Sequence, residues 1–348
     1  MTASESSFVG FAKQTAKGTP NTTDADFQYF LFNEGTIGPQ NNNLPLDQEV
    51  GGGAMLRGVA KVGVTSVGAF SFIPRPTIMG KFLLGALGTV AAPAQQGSSA
   101  AYLHAFDLGS DQFAAPYWTV RSTPGSIWGE TFEDVRVANL ALTWRASDYL
   151  RGQVAFMGGE PTPNVTTGTW GALAKVDGGP QFLAPLFTTE LPSATAVKCL
   201  SGAFTMGMQI PMDEQWITGS YFPDDFDINQ RAFALTMVVK TSDKVLYNKM
   251  NYDPADGAAW VAEIYREADI GLKFESDVEA DTTYPYSIEV LANAQSGADA
   301  NVLWTATPIS MRAGRQLTMA VTGTFVADPT GSYEPVTVNL INQQSTSY

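Results

Sequence analysis

Histidine and cysteine are almost absent from this 348-residue chain, which holds one of each, His104 and Cys199. That scarcity excludes a zinc site, which draws on several such ligands, and any internal disulfide. His104 has no Ser or Cys nucleophile motif near it, so it reads as structural or superficial and not catalytic. Charge is scarce as well. Charged residues make up 16% of the chain, against roughly 25% in ordinary soluble domains. The net charge of −14 excludes a sequence reader of nucleic acid, which needs a basic patch to displace counterions. No uninterrupted apolar run reaches the ~18 residues of a membrane span. The most apolar stretch, Phe82 to Ala92, is broken by Gly85 and Gly88. The opening MTASESSFVGFAK lacks a basic segment followed by an apolar one, so no secretory signal is expected. Synthesis in a reducing cytoplasm is expected, with Cys199 a small apolar residue in the strand Val197–Phe204. There is no GxSxG elbow, no GxxxxGK[ST] loop and no GxGxxG after a strand.

What is present is a pattern that occurs twice. Arg57 to Ile73 and Asn229 to Lys240 both alternate as strands, and each precedes a short apolar segment, at Gly80–Gly88 and Asp243–Met250. Asp134–Gly158 lines up loosely with Thr305–Ala327. Repetition of this kind points to a duplicated unit. Low charge with abundant Gly, Ala, Thr and Gln suits a surface covered by other protein, with self-association as the simplest cover.

Strands are expected at Asp26–Phe32, Val59–Ile73, Tyr102–Leu108, Tyr117–Arg121, Val135–Arg145, Gln153–Met157, Val197–Gln209, Ala232–Lys240, Ile270–Glu275, Ser287–Asn293, Leu317–Val326 and Val336–Leu340. In the second of these, Val62, Val64, Ser66, Gly68, Phe70 and Phe72 share one face. Helical patterning marks Met79–Leu87, Asp243–Met250 and Gly257–Arg266. Gly35–Gly53, with three Asn in a row, two Pro and a Gly triplet, reads as a long exposed loop. Met212–Asp227 is its counterpart in the second half. Ala91–Ala101 reads as a low-complexity loop, and the polar end QQSTSY as an arm. Gly158–Pro192 is rich in Pro and Gly and reads as the connection between halves, with Trp170 and Phe182 holding it to the surface. The expected architecture is therefore mainly β: two tandem sandwich or barrel units, each with a short flanking helix and long loops. The division is residues 1–160 with an N-terminal arm, a connector 161–192, and residues 193–348.

Two acidic clusters, Asp224, Asp225 and Asp227, and Asp253, Asp256 and Glu263, could offer oxygen ligands to calcium. Neither has the alternate-residue spacing of a calcium loop, and turn-forming or helix-capping Asp explains both. No catalytic, cofactor-binding or metal-ligating residue is assigned.

Three stretches then resemble the tail tube proteins of long-tailed bacteriophages. FVGFAKQTAKGTPNTTDADFQYF is similar to the family's opening. GAFSFIPRPTIMGKFLLGALG resembles its strand followed by a helix ending in Leu-Gly. SGAFTMGMQIPMDEQWITGSYFPDDFDINQRAFALTMVVKTSDKVLY resembles its later hairpin, and the ending VTVNLIN also fits. The resemblance implies a structural subunit of the virion tail that is not an enzyme. Its inner sheets would close into a β-lined ring, its loops and arms would stack the rings, and genomic DNA would pass through the bore as non-specific cargo. Family rings hold six tube domains, so a two-domain chain would form a trimer with pseudo-six-fold symmetry. Tape-measure, tail-terminator and tail-tip proteins would be partners, with no membrane involved and with assembly in the host cytoplasm. From the acidic balance, the bore is expected to be net negative. The other readings are a different virion or cell-surface β protein (decoration, baseplate, tail-tip or pilus component) and a carbohydrate-active β enzyme using the acidic and aromatic residues.

Overall fold

The computed structural model describes residues 7–47, 50, 55, 57–108, 114–125, 127–164, 170, 179–191, 195–212, 215–240, 247, 251–252, 265–267, 270–281, 283–292, 302–306, 309–311, 313–327 and 335–348. Among the described residues the strands are, in the first half of the chain, β1 (Phe8–Lys13), β2 (Gln28–Phe30), β3 (Glu34–Pro45), β4 (Val59–Phe72), β5 (Thr89–Val90), β6 (Ala94–Gln95), β7 (Tyr102–Asp107), β8 (Trp118–Thr123), β9 (Glu130–Arg145), β10 (Arg151–Gly158) and β11 (Pro161–Pro163). The second half supplies β12 (Leu183–Leu191), β13 (Thr195–Ala196), β14 (Cys199–Gln209), β15 (Gln230–Lys240), β16 (Tyr265–Glu267), β17 (Ile270–Asp281), β18 (Tyr284–Ala292), β19 (Val302–Ala306), β20 (Thr318–Phe325) and β21 (Thr337–Asn342). A 12-residue α-helix, α1 (Pro76–Leu87), follows β4.

The strands form two antiparallel sheets. The long one is 13-stranded, with the path β16-β19-β20-β15-β14-β9-β10-β4-β3, and β1, β2, β8 and β11 branch from the early part of β9. The second is 8-stranded, with the path β13-β12-β17-β18-β21-β7-β5 and β6 on β7. Both draw strands from either side of residues 161–192. In the long sheet β14 pairs with β9, with Thr205 opposite Ala141. In the second, β21 pairs with β7, with Leu340 opposite His104. Residues 183–191, within the expected connector, are β12 itself, and Phe182 beside it is fully buried.

Period-2 alternation builds the core. In β9, Leu140, Leu142 and Trp144 point inward while Asn139, Thr143 and Arg145 stay exposed. β14 buries Phe204, Met206 and Met208, and β15 buries Phe233, Leu235, Met237 and Val239. The helix packs against β9 and β14 of the long sheet and against β21, β7 and β18 of the other, so it lies between the layers and not on a flank. It starts where Arg75 is extended and Pro76 occupies the first turn, and it stops at Gly88 (φ 99°), whose N–H donates to the Leu84 carbonyl at 2.8 Å. Gly85 is required because a Cβ there would run into Val137. Phe82 of α1 meets Phe11, Phe30 and Phe72 at ring separations of 5.4, 5.3 and 5.2 Å, tying the helix to β1, β2 and β4. Truncating such a ring to Ala costs about 3–5 kcal/mol, so Phe82→Ala should loosen this layer by about that amount.

Three sequence expectations are corrected. Gly35–Gly53 is not all loop: residues 34–45 form β3, which pairs with β4 from Glu34–Ser71 to Pro45–Val59. No residue of β3 is buried, so both faces stay polar and the alternation that betrays a strand is missing. The end of the chain is not a free arm. Tyr348 packs on His104 and Phe106, its ring fills the space above Gly80, and its hydroxyl partners Asn342. Ala91–Ala101 is not all loop, since residues 94–95 form β6 and pair with β7. The helical patterns at Asp243–Met250 and Gly257–Arg266 lie almost wholly outside the described residues.

Candidate functional site

The residues with chemical potential turn out to be occupied by structure. His104 is buried; its Nε2 lies 3.1 Å from Asn342 Oδ1 and 2.9 Å from the Gln344 carbonyl. Burial lowers its pKa despite those contacts, so the ring is neutral and fastens the tail. Cys199 is half-buried, its thiol pushed up by burial, and Sγ points at the Ser201 carbonyl at 3.3 Å. Neither is poised as a nucleophile.

Asp225 sits at a junction of four segments. It accepts from the Tyr117 hydroxyl at 2.8 Å, from the Phe226 N–H at 2.7 Å and from Lys17 at 3.1 Å, with Arg136 at 3.7 Å. Arg136 also donates to the Tyr117 oxygen and lies over that ring. Burial alone would raise the Asp225 carboxyl; the Phe226 N–H, Tyr117, Lys17 and Arg136 outweigh it and hold the group below the usual carboxylate range. The cluster around Asp224, Asp225 and Asp227 thus pins the 215–227 loop to the first half of the chain. Trp216 in that loop roofs Gly63, and the Tyr221 carbonyl accepts from Val64 N–H at 2.7 Å. Asp253, Asp256 and Glu263 lie outside the described residues.

A second anchor holds the N-terminal segment. The buried Arg121 guanidinium pairs with Asp24 at 2.5 Å and lies between the rings of Phe27 (3.9 Å) and Trp170 (4.0 Å). Trp170 is thereby held against β8, in line with its aromatic character. Lys81 on α1 reaches the Phe11 and Asp26 carbonyls at 3.0 Å each, and burial lowers its pKa to about 8.

The extended surfaces are where sequence reasoning stops short. One face of the long sheet is packed on the helix and the second sheet; the other is open. A row across the open face runs Arg151, Thr143, Ala203, Thr236, Thr322 and Thr305. The next runs Gln153, Ala141, Thr205, Ala234, Thr324 and Leu303. β4, β10, β14, β15, β19 and β20 contain no Asp or Glu at all. Arg151, the cation heading the first row, is neutralised by Asp148 at 3.0 Å. The acids of the long sheet lie at Glu34 of β3, at Glu130, Glu133 and Asp134 in the early part of β9, and at Glu267 of β16, while β17 of the second sheet carries Glu275, Asp277, Glu279 and Asp281. The signal is present in the outward positions of these strands, whose middle rows are mostly Thr, Ala, Ser and Gln, with the cations Lys61, Arg145, Arg151 and Lys240 toward the strand ends.

Both ends of the long path are open among the described residues. β3 pairs only with β4, and β16 only with β19. The β3–β4 hairpin also runs past its neighbour, and its far end exposes Leu44, Leu46, Val59 and Val62. Open edges and a projecting apolar tip are features an isolated soluble protein avoids.

The sequence profile of one family, described as phage tail tube protein, matches residues 4–313. The chain belongs to the phage tail tube protein family. No curated protein matches the sequence. As a tail tube protein it is a structural subunit of the virion tail that assembles with itself into a tube, and its mainly β fold with two antiparallel sheets is that of a β-sandwich tube protein. The family's role is structural, in keeping with the polar residues of this subunit serving as anchors, and nothing in the fold favours another virion role. Among the described residues no helix is long and apolar enough to cross a membrane.

Proposed function

We propose that the open face of the long sheet lines the tube bore, and that the two open sheet edges join neighbouring copies into a ring. The observation that carries this is the continuous antiparallel path across both halves, with one face packed and the other paved with small uncharged side chains. β4, β10 and β9 from the first half lie beside β14, β15 and β20 from the second, which supports a duplicated arrangement divided near residues 161–192. Two such units per chain favour a trimeric ring that imitates a hexamer, closed by a heterologous interface in which the β3 edge meets the β16–β19 edge of the next copy. Closure removes both open edges. Tape-measure, terminator and tip proteins would complete the tail, assembled in the host cytoplasm.

The bore in this arrangement is not the acidic wall expected from the overall charge. Its middle rows are uncharged, and the cations Lys61, Arg145, Arg151 and Lys240 lie toward the strand ends. Few cations along the middle of the path leave passing phosphates few counterions to exchange, so DNA slides with little sticking.

Negative-stain imaging of the concentrated protein tests the assembly. Stacked rings of three chains with six-fold appearance are expected. Isolated oligomers would sink the tube arrangement, and six chains per ring would sink the duplication. Thr236→Lys with Thr322→Lys then tests the bore: tubes should form normally, while ejection slows at low salt through adhesion to DNA.

A further inference from the structure

The open face of the long sheet carries its charge unevenly along the strands. Its middle rows are uncharged, and cations gather at the end where β9 and β15 stop and β14 and β20 begin. Arg145, the last residue of β9, sits opposite Ser201. Lys240, the last residue of β15, sits opposite Thr318. Both continue the outward alternation of Thr143 and Thr236, since Trp144 and Val239 beside them are buried. With β14 between their strands, they stand two strand spacings apart, roughly 10 Å. Lys240 N–H donates to the Lys198 carbonyl at 2.9 Å, and Ser310 N–H to the Thr318 carbonyl at 2.8 Å. These bonds bring exposed Lys198 and the 310–318 turn, with exposed Arg315, to the same end.

Acids do not balance this end. Those of the long sheet lie at Glu34 on the β3 edge, and at Glu130, Glu133, Asp134 and Glu267 toward the opposite end. Asp148, in the turn between β9 and β10, is held by Arg151 at 3.0 Å and by the Tyr149 N–H at 2.8 Å. Glu190 lies across from Ala196 on the second sheet, two residues before Lys198. Among the described residues Arg145, Lys198, Lys240 and Arg315 form no ion pair. Like charges gathered without partners repel one another, and a polyanion relieves that repulsion. Beside Lys240 an open cleft of about 540 Å³ is lined by Leu200, Ser310, Gly314, Arg315, Gln316 and Thr318. A guanidinium fork flanked by two hydroxyls and an amide suits phosphate oxygens.

We propose that this end of the sheet is a contact station for the DNA backbone, with Arg145, Lys198 and Lys240 facing phosphates and Arg315 presenting its fork from the cleft. If the open face lines the bore, as proposed above, each copy presents the station at one rim of its ring, and uncharged rows separate one rim from the next. DNA is then held at intervals and slides freely between them. Contacts to phosphate carry no sequence information, so the hold is the same for any genome. The occupant is DNA and not an acidic protein segment, because the cleft offers donors where a protein segment needs an apolar seat. The exposed apolar residues of the turn, Met311 and Leu317, stand outside its lining.

The test measures binding of a fluorescent DNA duplex of about 20 base pairs to the full-length subunit as salt is raised from about 25 mM. Four phosphate contacts predict a log–log salt slope of roughly −3 to −4. Arg145→Gln, Lys240→Gln and Arg315→Gln should each weaken binding severalfold and lower the slope by about 1, equally for A·T-rich and G·C-rich duplexes. Lys61→Gln, toward the other end of the sheet, and Met311→Ser should leave the slope unchanged. All five side chains are at the surface, so the variants should fold. No binding at about 25 mM salt, or a slope that the triple Gln variant retains, would overturn the station. So would a loss from Met311→Ser as large as that from Arg315→Gln, or tighter binding of polyglutamate than of DNA at equal charge, either of which would give the cleft to an acidic protein segment. Imaging separates this result from the tube arrangement. Tubes whose subunits fail to bind DNA would overturn the station alone, whereas subunits that bind DNA but never form tubes would overturn its place in a bore together with the tube.

Discussion

Removing the Lys81 ammonium should flatten one segment of the stability–pH curve. Lys81 is largely enclosed between α1, β1 and the Asp24–Asp26 turn, and its ammonium has two carbonyl acceptors, those of Phe11 and Asp26. Burial outweighs the favourable Asp26 charge and brings its pKa from 10.5 to about 8. The folded state therefore binds fewer protons than the unfolded state between pH 8 and 10.5, so stability rises with pH across that window and is lost as pH falls through it. A tenfold change in proton affinity is worth about 1.4 kcal/mol. The full difference is about 3 kcal/mol, of which about 2 kcal/mol falls between pH 7.5 and 9.5. The sign reverses higher up, because burial raises the phenol of Tyr29 to about 12 and that of Tyr348 further, so the native state resists losing protons that the unfolded chain releases near pH 10. Lys81→Met keeps the stem and removes the titrating group. Denaturant unfolding of depolymerised wild-type and Lys81→Met subunits at pH 7.5, 8.5 and 9.5 should give curves that diverge by about 2 kcal/mol, the wild type gaining. Curves parallel within a few tenths of a kcal/mol would show that the ammonium is solvated in the native subunit, and would refute the reasoning.

Arg121→Ala should destabilise by about 1–3 kcal/mol, because it leaves two rings without their cation and breaks a pairing whose Asp24 side is exposed; unfolding midpoints would show it, and a loss under a few tenths of a kcal/mol would count against the anchor. Gly80→Ala sets a helix-propensity gain of about 1 kcal/mol against the collision with the Tyr348 ring. A net loss with faster proteolytic trimming of residues 343–348 is expected; a net gain would mean the tail is not seated there. Asp225→Asn should loosen the 215–227 loop and speed its amide exchange while leaving the subunit folded, whereas unchanged exchange would discount the junction. Deleting Asn41–Leu46 should leave a folded subunit that stays as rings or free chains, as judged by sedimentation, and normal tubes would exclude the hairpin from stacking.

What is legible in the sequence tracks burial. Val64, Phe70 and Phe72 of β4 advertise their strand because one face meets the core, and Met79–Leu87 advertises its helix through sheer apolar content. β3 is invisible because neither face is buried, so nothing requires its residues to alternate. The tail reads as an arm because its polar residues conceal a single anchoring ring, Tyr348, whose seat depends on Gly80 in a distant segment. The open face of the long sheet is present as Thr, Ala and Ser in its middle rows, which the total charge does not reveal, because net charge is a sum over all surfaces. Leu200 and Thr318 line one open cleft although more than a hundred residues separate them, which no local pattern encodes.

The pairing of β21 with β7 has a kinetic consequence. The second sheet needs a strand from residues 337–342 beside one from residues 102–107, and the long sheet needs β14 beside β9. Contacts this distant in sequence slow folding, since the chain must lose most of its freedom before they form. A nascent chain emerging from the ribosome would therefore hold β7 and β9 with bare edges until the last strands are synthesised. The first half expressed alone should aggregate instead of folding, and refolding of the whole subunit should be slow and sensitive to concentration. Such a subunit benefits from a chaperone that shields its edges during synthesis, and its yield in a host cell should depend on how long that protection lasts.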